Sequence, residues 1–584
     1  MFRTLATSFF SNVRWTSRNP GATVLRFREI PRCCQETGQL YVHTAGDLSN
    51  GEKKHLKITA RTKEDDLGSF SYSQFLDHFY ELLCEGQDRV LVSRLLRGIK
   101  NSGLWKNDPR LAETLQKIND LRSGSAEVVD VLLDKEGLRN CIQDNIVMIR
   151  KAFMGDLVIP EFSKFCSMID EIYWASRSNM GGQVSSYIPQ LSSYSPDYWG
   201  VSLCTVDGQR HSIGDVEAPF TVQSSGKPIN YALAVHELGA DVVHQYVGHE
   251  PNGETFDSMK LNKYGKPHNP MNNDGALVVT SLLYHNMSLA DRFDSILTQY
   301  RRLSGGEYVS FNNSTFLSER EVADRNYALG YYLRENKCFP DGINLHETMD
   351  LYFQLCSVEI NVNSGAIIAA SLANGGYCPL TEEQVLSSTS VRNTLSLMHS
   401  CGMYEYSGGF AFTVGLPGKA GISGGILLVV PNVLGMCLWS PRLDDTGNSV
   451  RGLQFCKQLV QTFNFHHYSC LQRPGAELNP RSKRTEMQSN QIVKLLFSAG
   501  NGDLTGLIRM AMANQDMTLA DYDGRTALHL ASSEGHLECV KFLVEKCQVP
   551  IDAKDRWGQA ALDDAIRFKH GAVESYLTSM KENC

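Results

Sequence analysis

The stretch Ala218-Pro-Phe-Thr-Val-Gln-Ser-Ser-Gly-Lys-Pro-Ile-Asn230 decides the fold and the function class of this chain. Strand-forming residues lead into Ser224, and apolar residues at helical spacing follow, at Tyr231, Leu233, Ala234, Val235, Leu238, Val242 and Val243. The sequence therefore predicts a strand that ends near Ser224 and a helix that begins there. Pro228 suits the first helical turn, and Lys227 shares a helix face with Ser224 because it is three residues further on.

A serine and a lysine at this spacing can act as a nucleophile and its base. A serine hydroxyl needs an adjacent base before it can attack, and burial can lower the pKa of a lysine until it accepts the proton. The helix N-terminus adds backbone N–H groups that can stabilise an oxyanion. The alternative is a chance match, because Ser-x-x-Lys needs only two common residues.

Composition limits the class of protein. The 584 residues are too many for one core, so we expect three or four units. The formal net charge of −8 argues against a nucleic-acid-binding protein. The 16 cysteines show neither C-x-x-C nor zinc-finger spacing, so we expect free thiols in a reducing compartment and no metal site.

Residues 1–60 are interpreted as a mitochondrial transit peptide and a linker. Arginines, serines and threonines precede the first acidic residue, Glu29, and several apolar residues can share one helix face. This amphipathic, arginine-rich and acid-poor pattern is typical of a transit peptide; the alternative is a disordered basic tail. We expect no membrane span, because the apolar region 424–434 is short and contains Pro431.

Two further regions precede the C-terminal part. Residues 65–180 predict a small helical domain, with helical stretches that include Val90–Ile99, Val128–Leu133 and Ile142–Phe153. Residues 181–470 predict the catalytic domain, an α+β fold in which helices pack on an antiparallel sheet.

Turn and periodicity signals define the elements of this catalytic domain. Asp207-Gly208 lies between two strand-like runs and predicts a hairpin. We expect further strands at Phe410–Val414 and Gly425–Val430. Helices are expected at about 228–247, 274–303, 318–335, 344–359 and 390–400.

A linker at 471–489 leads to repeats. Asp523-Gly-Arg-Thr-Ala-Leu-His-Leu-Ala531 recurs in related form as Asp555-Arg-Trp-Gly-Gln-Ala-Ala-Leu-Asp-Asp-Ala565. The first copy resembles the ankyrin signature T-P-L-H-x-A, with Ala527 in place of proline. We therefore assign residues 490–584 to ankyrin repeats, an interaction or assembly module whose partner is unknown.

Together, six blocks closely resemble the mitochondrial glutaminases of animals, of the kidney and liver type. They are Tyr187-Ile-Pro-Gln-Leu, Trp199-Gly-Val-Ser-Leu-Cys-Thr-Val-Asp-Gly-Gln-Arg-His-Ser, Gln223-Ser-Ser-Gly-Lys-Pro, Lys266-Pro-His-Asn-Pro-Met, Asp324-Arg-Asn-Tyr-Ala-Leu-Gly-Tyr-Tyr-Leu and Leu395-Ser-Leu-Met-His-Ser-Cys-Gly-Met-Tyr. The match covers residues 65–584.

The resemblance implies a β-lactamase- or penicillin-binding-protein-like catalytic domain. It implies hydrolysis of L-glutamine to L-glutamate and ammonia without a metal or organic cofactor, with inorganic phosphate as a candidate activator. It also implies a homotetramer that can extend into filaments, and a location in the mitochondrial matrix or at the inner membrane.

The resemblance further implies a role for each site residue. Ser224 attacks the carboxamide carbon, Lys227 accepts its proton, and Tyr404 passes a proton to the leaving ammonia. The backbone N–H groups of Ser224 and Ile422 bind the oxyanion. Glu319 can pair with the substrate ammonium, and the residues implied for the amino-acid end of glutamine are Tyr187, Asn273, Glu319, Asn326 and Tyr352.

Without the resemblance, these residues have ordinary explanations. Tyr352 and Tyr404 would be packing aromatics, Asn273 would be a helix N-cap, and Glu319 would lie on a solvated face.

The chain departs from the family pattern in four places, one of which is Ile422, where the family has valine and only the backbone N–H is needed. Ala420 stands where the family has serine, within Lys419-Ala-Gly421, the counterpart of a K-T-G strand. Asp274 replaces a small residue and adds a negative charge near the expected pocket. The loop Asn252–Tyr264, which in the family gates the site and is linked to phosphate activation, matches poorly, so the resemblance leaves phosphate dependence open.

Two other functions stay open at this point. One is a serine amidase of the same fold with another amide substrate, and the other is an ankyrin-bearing assembly protein whose catalytic domain has decayed. A second serine motif is excluded: Gly421-Ile-Ser-Gly-Gly425 fits G-x-S-x-G, but a nucleophile elbow needs a following helix, and Ile426–Val430 predicts a strand.

Overall fold

The computed structural model describes a large part of the chain, namely residues 23–24, 41–42, 72–84, 88–123, 131–252, 259–469, 478–481, 484–512 and 515–582. It divides into two compact units, one drawn from residues 1–91 and 132–139 and the other from 92–131 and 140–584. Within the described ranges, no helix is both long and apolar enough to cross a membrane.

Among its described residues, the first unit contains one complete helix, Tyr72–Cys84, and short strand pairs. Val90–Leu91 pairs antiparallel with Leu132–Leu133, and Thr23–Val24 pairs with Tyr41–Val42. The predicted helix over 128–133 is therefore wrong at its last two residues. Leu132 and Leu133 form a short strand that pairs with Val90–Leu91. A short apolar run of this kind is compatible with either a strand or a helix, so its spacing does not decide between them.

The second unit begins with a helical region, as the sequence predicts. The helices here are Val92–Asn101, Pro109–Leu111, Ala112–Ser123, Lys135–Ile142, Gln143–Asn145, Ile146–Met154 and Phe162–Arg177. Helix Lys135–Ile142 starts in the first unit. In helix Phe162–Arg177, Phe165, Ile169 and Tyr173 belong to the same apolar core as strands of the catalytic sheet. The core of the catalytic domain thus includes side chains N-terminal to residue 181.

A five-stranded antiparallel sheet forms the centre of the catalytic domain. Its strands are β1 (Gly200–Thr205), β2 (Arg210–Gly214), β3 (Gly418–Ala420), β4 (Gly425–Val430) and β5 (Leu434–Trp439). The spatial order is β3-β4-β5-β1-β2, with every neighbouring pair antiparallel. The predicted α+β class, the Asp207-Gly208 hairpin and the strand Gly425–Val430 are confirmed.

The sheet is covered on both faces because its side chains alternate between two cores. Leu427, Val429 and Cys437 belong to one apolar cluster, whereas Leu428 and Met436 belong to another. Strands buried on both faces read as continuous apolar runs, and β4 (Gly-Ile-Leu-Leu-Val-Val) has that sequence.

Helix Val362–Ala373 packs on one face of the sheet, and all its residues are buried. Gly435 in β5 makes this approach possible, since a Cβ there would lie 2.0 Å from the backbone nitrogen of Ala370. The Ala370 nitrogen belongs to the helix backbone, and the added Cβ would be attached to the strand backbone. The clash could therefore be relieved only if the helix or the strand were displaced.

We therefore expect Gly435→Ala to destabilise the catalytic domain by at least about 1–3 kcal/mol, the usual cost of overpacking. The melting temperature should fall by several degrees in calorimetry. Gly408→Ala is the matched control, because a Cβ on Gly408 meets nothing within 4 Å. Equal melting temperatures for the two variants would show that the helix does not pack this closely.

The remaining helices of the catalytic domain are Pro189–Ser192, Lys227–Leu238, Ala240–Val243, Asn273–Leu282, Leu289–Leu303, Asn313–Glu321, Asp324–Glu335, Leu345–Cys356, Ser388–Cys401, Ser407–Thr413 and Val450–Thr462. Three predicted helices, those at 228–247, 274–303 and 318–335, are each split into two. The helix predicted at 228–247 breaks at Gly239, whose φ is 83°. The one predicted at 274–303 restarts at Ser288, whose side chain caps the new helix by accepting a hydrogen bond from Asp291 N.

The prediction of a strand at Phe410–Val414 was wrong. These residues belong mainly to helix Ser407–Thr413. The segment is a short apolar run next to two glycines, for which strand and helix cannot be separated by periodicity. The other short strands form a three-stranded sheet of Phe220–Thr221, Val358–Ile360 and Val309–Phe311, and a pair of Gln183–Val184 with Arg442–Leu443.

The C-terminal region consists of paired helices, as ankyrin repeats require. They are Arg484–Gly500, Leu504–Met512, Ala527–Ser533, Leu537–Lys541, Ala561–Arg567 and Gly571–Glu582, with a π-helical turn at Phe542–Lys546. Neighbouring repeats are joined by histidines: His536 Nε2 lies 2.9 Å from Gly500 O, and His570 Nε2 lies 2.9 Å from Ser533 O. The repeated contact confirms the repeat architecture.

Candidate active site

Ser224 lies in a tight turn between a strand and a helix. Strand Phe220–Thr221 is followed by a 3₁₀ turn, Gln223–Gly226, and then by helix Lys227–Leu238. The prediction of a strand-to-helix junction at Ser224 is confirmed, with the added 3₁₀ turn. Ser224 is half-buried, whereas its neighbours on both sides are buried, so this turn presents the serine side chain.

The turn is strained on its N-terminal side. Gln223 has φ 48°, in the left-handed region, which non-glycine residues seldom adopt. Such backbone strain of about 1–3 kcal/mol clusters at functional sites, where the surrounding structure enforces it. Here it accompanies the residue directly before the predicted nucleophile.

Lys227 is 3% exposed and lies in the interior below Ser224. Its Nζ donates to Asn273 Oδ1 at 2.6 Å and to Met271 O at 3.3 Å. Burial lowers its pKa to about 8, although the nearby groups Cys356 and Asp274 oppose this shift. At neutral pH a fraction of Lys227 is therefore unprotonated and able to accept a proton.

Tyr404 is a neighbour of Ser224. Burial raises the pKa of its hydroxyl, and an interaction with the Ser224 side chain lowers it in part. Its φ of 52° is also left-handed, so the site contains a second residue with a strained backbone. Lys419 Nζ lies 4.5 Å from the centre of the Tyr404 ring, and burial lowers the pKa of this lysine well below its ordinary value.

The end of β3 runs against the serine turn. A Cβ on Gly421 would lie 2.7 Å from Val222 O and 3.1 Å from Ser225 N. A Cβ on Gly447 would lie 3.7 Å from the Tyr404 ring and 4.0 Å from the Ile422 side chain. Ile422 therefore follows a segment packed on the serine turn, which suits a pair of backbone N–H groups facing one oxyanion.

Glu319 is a buried carboxylate in this site and not part of a solvated face. It is 2% exposed, and Tyr187 donates its hydroxyl to Glu319 Oε2 at 3.1 Å. Burial raises the pKa of Glu319, while hydrogen-bonding contributions from Gln223 and Tyr187 lower it. A buried negative charge is costly unless it is paired, so the Glu319 carboxylate suits a cationic ligand.

Two amides connect the base to this acidic region. Asn273 Nδ2 donates to Asn326 Oδ1 at 3.3 Å, and Asn326 also contributes a hydrogen bond that lowers the pKa of Tyr187, against a larger rise caused by burial. Asn273 is not the N-cap of its helix, because Asn272 occupies that position. Its side chain is instead committed to Lys227 and Asn326.

Tyr352 completes the group. It is 6% exposed, and burial raises the pKa of its hydroxyl, as do the nearby groups Cys356, Tyr187 and Glu319. The structure thus links these residues by contact or by electrostatic interaction, although they lie on elements from separate parts of the chain.

The sequence analysis gave no role to Gln223, which also belongs to this site. It is 4% exposed, and its side-chain amide interacts with the Glu319 carboxylate, whose pKa it helps to lower. Its position directly before Ser224 is the signal that could have identified it. A buried amide next to Glu319 can orient this carboxylate toward a polar ligand.

The G-x-S-x-G serine is not part of this group. Ser423 is 1% exposed, and strand β4 follows it, so it lacks the helix of a nucleophile elbow. Within the described part of the chain, no group of three or more His, Cys, Asp or Glu side chains is placed to bind a metal ion.

Comparisons with known proteins agree with this geometry. Residues 182–468 match the glutaminase family model, and residues 486–583 match ankyrin repeats in three copies. Residues 75–160 match an EF-hand domain model, which the sequence analysis described only as helical.

Individual relatives cover most of the chain. The chain is 50% identical to the mitochondrial liver isoform of glutaminase from Mus musculus over 86% of its length and 83% of the relative. It is 46% identical to putative glutaminase 2 of Caenorhabditis elegans, over 86% of this chain and 84% of the relative. A solved structure described as probable glutaminase ybaS is 35% identical with a TM-score of 0.50, covering 52% of this chain and 98% of that chain.

The catalytic region and the ankyrin repeats of this chain thus both have counterparts among known proteins. The chain belongs to the glutaminase family.

Proposed function

We propose that the chain hydrolyses L-glutamine to L-glutamate and ammonia by acyl transfer through Ser224. The reaction follows from family membership. The observation that carries the mechanism is the buried Lys227, whose Nζ contacts Asn273 and whose pKa of about 8 lets it accept the serine proton. No metal or organic cofactor enters the proposal.

The first half-reaction forms an ester. Ser224 Oγ attacks the side-chain carboxamide carbon as its proton passes to Lys227. The oxyanion accepts hydrogen bonds from the backbone N–H groups of Ser224 and Ile422. The C–N bond then breaks, and the nitrogen leaves as ammonia after it receives a proton from Lys227 by way of Tyr404.

The second half-reaction releases glutamate. Water gives a proton to the base and attacks the ester carbonyl, and the same N–H groups stabilise the second oxyanion. The C–O bond to Ser224 breaks, and the serine oxygen recovers its proton. Each half-reaction returns Lys227 to its starting protonation state.

The polar residues around the dyad account for the choice of a free amino acid. Glu319 is suited to the α-ammonium, because it is a carboxylate that is only 2% exposed and a buried negative charge favours a cationic partner. Tyr187, Asn273, Asn326 and Tyr352 can bind the α-carboxylate through amide and phenol donors. A peptide-bound glutamine has neither free group.

Glu319→Gln tests this recognition. The variant keeps the side-chain size and removes the charge, so we expect kcat/KM for L-glutamine to fall about 10- to 100-fold, the range for one hydrogen bond to a charged group. Ammonia release is measured for L-glutamine, L-asparagine and a glutamine peptide, with the exposed Glu321→Gln as control.

The same panel separates the alternatives. Turnover of another amide in preference to L-glutamine would favour a different serine amidase, and binding of L-glutamine without turnover would favour a decayed enzyme. An unchanged kcat/KM in Glu319→Gln would contradict ammonium recognition by this carboxylate.

The cellular setting is part of the proposal. The rodent relatives are named as mitochondrial, and the arginine-rich leader supports import into the mitochondrion. Residues 1–60, proposed as transit peptide and linker, lie almost entirely outside the described residues. Matrix or inner-membrane association, a homotetramer that can form filaments and an unidentified ankyrin partner remain proposals from family resemblance.

Phosphate activation is proposed on the same basis. Part of the gating loop, residues 253–258, lies outside the described residues. On the described side, Gly248 N donates to Pro267 O at 2.8 Å and Glu250 N donates to His268 O at 3.0 Å. These two hydrogen bonds join the ends of the loop a few residues before Asn273 in the sequence. Because Asn273 contacts Lys227, a movement of the loop can influence this base.

A further inference from the structure

Asp274 is a buried carboxylate next to the catalytic base. It is the second residue of helix Asn273–Leu282 and is 3% exposed. Its Oδ1 accepts a hydrogen bond from Gly275 N at 2.8 Å. The preceding residue, Asn273, receives the Lys227 Nζ at 2.6 Å, so one helical turn carries both a partner of the base and a negative charge.

The charged and titratable groups around Asp274 come from several elements. Lys227 lies on the helix that follows Ser224 and is the charged group that acts on the Asp274 carboxylate. Cys338 follows helix Asp324–Glu335, and Asp274 helps to raise the pKa of its thiol to about 11. The charged residues of that helix are themselves exposed.

Two more elements face Lys227. Helix Leu345–Cys356 brings Cys356, whose thiol pKa is raised by burial, and Tyr352, whose hydroxyl pKa is also raised by burial. Strand β3 brings Lys419, whose pKa is lowered by burial and then by Lys227. At neutral pH, Asp274 is thus the acidic group of this set that is ionised next to Lys227.

We propose that Asp274 is a positioning residue for the hydrolysis reaction, whose buried negative charge sets the pH range in which Lys227 can act as the base. This inference rests on the proposed role of Lys227. It assigns a function to a side chain whose hydrogen bond is made to the backbone of its own helix.

Two opposing effects act on the dyad. Burial favours the neutral form of Lys227, whereas the negative charge of Asp274 favours the ammonium form. Burial also raises the pKa of Asp274 to about 6. Between about pH 6 and pH 8 the pair therefore holds an ammonium and a carboxylate, and the active neutral form of Lys227 appears as the pH rises through its pKa.

Removal of the Asp274 charge should move that transition to lower pH. A nearby opposite charge favours the ammonium form of a lysine, so we expect the acid limb of kcat/KM to move down by up to about 1 pH unit in Asp274→Asn. With a pKa that falls from about 8 to about 7, the neutral fraction of Lys227 at pH 7 rises about fivefold. The amide keeps an oxygen that can accept the Gly275 N–H.

The experiment compares pH profiles of kcat/KM for L-glutamine in the wild type, Asp274→Asn, Asp274→Ala and Lys227→Ala. Asp241→Asn is the matched control, because it removes an exposed carboxylate and makes the same change in net charge. Thermal unfolding establishes that each variant is folded. If Asp274→Asn does not fold, Asp274→Ala supplies the same comparison.

A downward shift in the Asp274 variants, absent in Asp241→Asn, supports the inference. Profiles that coincide with the wild type overturn it, and so does a loss of rate without a shift, since a merely structural role gives that result. Wild-type activity in Lys227→Ala would instead overturn the proposed mechanism, so the two failures are distinguishable.

Discussion

Replacement of Ser224 by alanine should reduce ammonia release from L-glutamine by about 10⁴-fold or more, which is typical of the loss of a nucleophile. The hydroxyl is the atom that would bond to the substrate, and the neighbouring donors cannot substitute for it. Binding of L-glutamine should survive, because Glu319 and the surrounding amides and phenols remain. Stopped assays of ammonia and calorimetric binding measure the two quantities.

Ser423→Ala is the control for that experiment. It removes a buried serine hydroxyl from the motif that resembles a nucleophile elbow, and we expect its activity to stay within a few-fold of the wild type. If Ser224→Ala kept wild-type turnover while Ser423→Ala lost it, the nucleophile would be the other serine.

Replacement of Lys227 by alanine should reduce kcat by about 10³-fold or more, because a serine hydroxyl without its base is a weak nucleophile. A general base alone contributes about 10²–10⁴-fold, and Lys227 also holds Asn273 in place. Lys164→Ala, on an exposed part of helix Phe162–Arg177, removes a lysine far along the chain from the dyad and should leave kcat unchanged.

The pH dependence adds a second readout for Lys227. Since its neutral form is the base and its pKa is about 8, wild-type kcat/KM should rise as the pH rises through that value. The residual rate of Lys227→Ala should lack this limb. A variant that retained the limb would assign it to another group.

The sequence predicted the part of the fold that local signals control. The Asp207-Gly208 turn identified the hairpin of β1 and β2, and the apolar run of β4 identified a strand buried on both faces. Phe410–Val414 was assigned to the wrong class because five apolar and small residues carry no periodicity of their own. The breaks at Gly239 and Ser288 were missed, although a glycine and a capping serine are both signals of helix ends.

Part of the candidate site could be predicted from the sequence and part of it could not. Ser224 and Lys227 could be proposed from their spacing alone. Glu319 could not, since its charged neighbours suggest a solvated face and only the tertiary fold buries it beside Tyr187. Gln223 and the electrostatic effect of Asp274 on Lys227 likewise depend on contacts between distant elements, which local patterns do not encode.

The central claim is that Ser224 carries the glutamyl group during turnover. The most direct measurement is a rapid acid quench of the wild-type enzyme with L-glutamine, followed by mass mapping of its peptides. We predict an added glutamyl group as an ester on Ser224, and no such group in Ser224→Ala. A glutamyl group on another residue, or normal turnover in Ser224→Ala, would contradict the account.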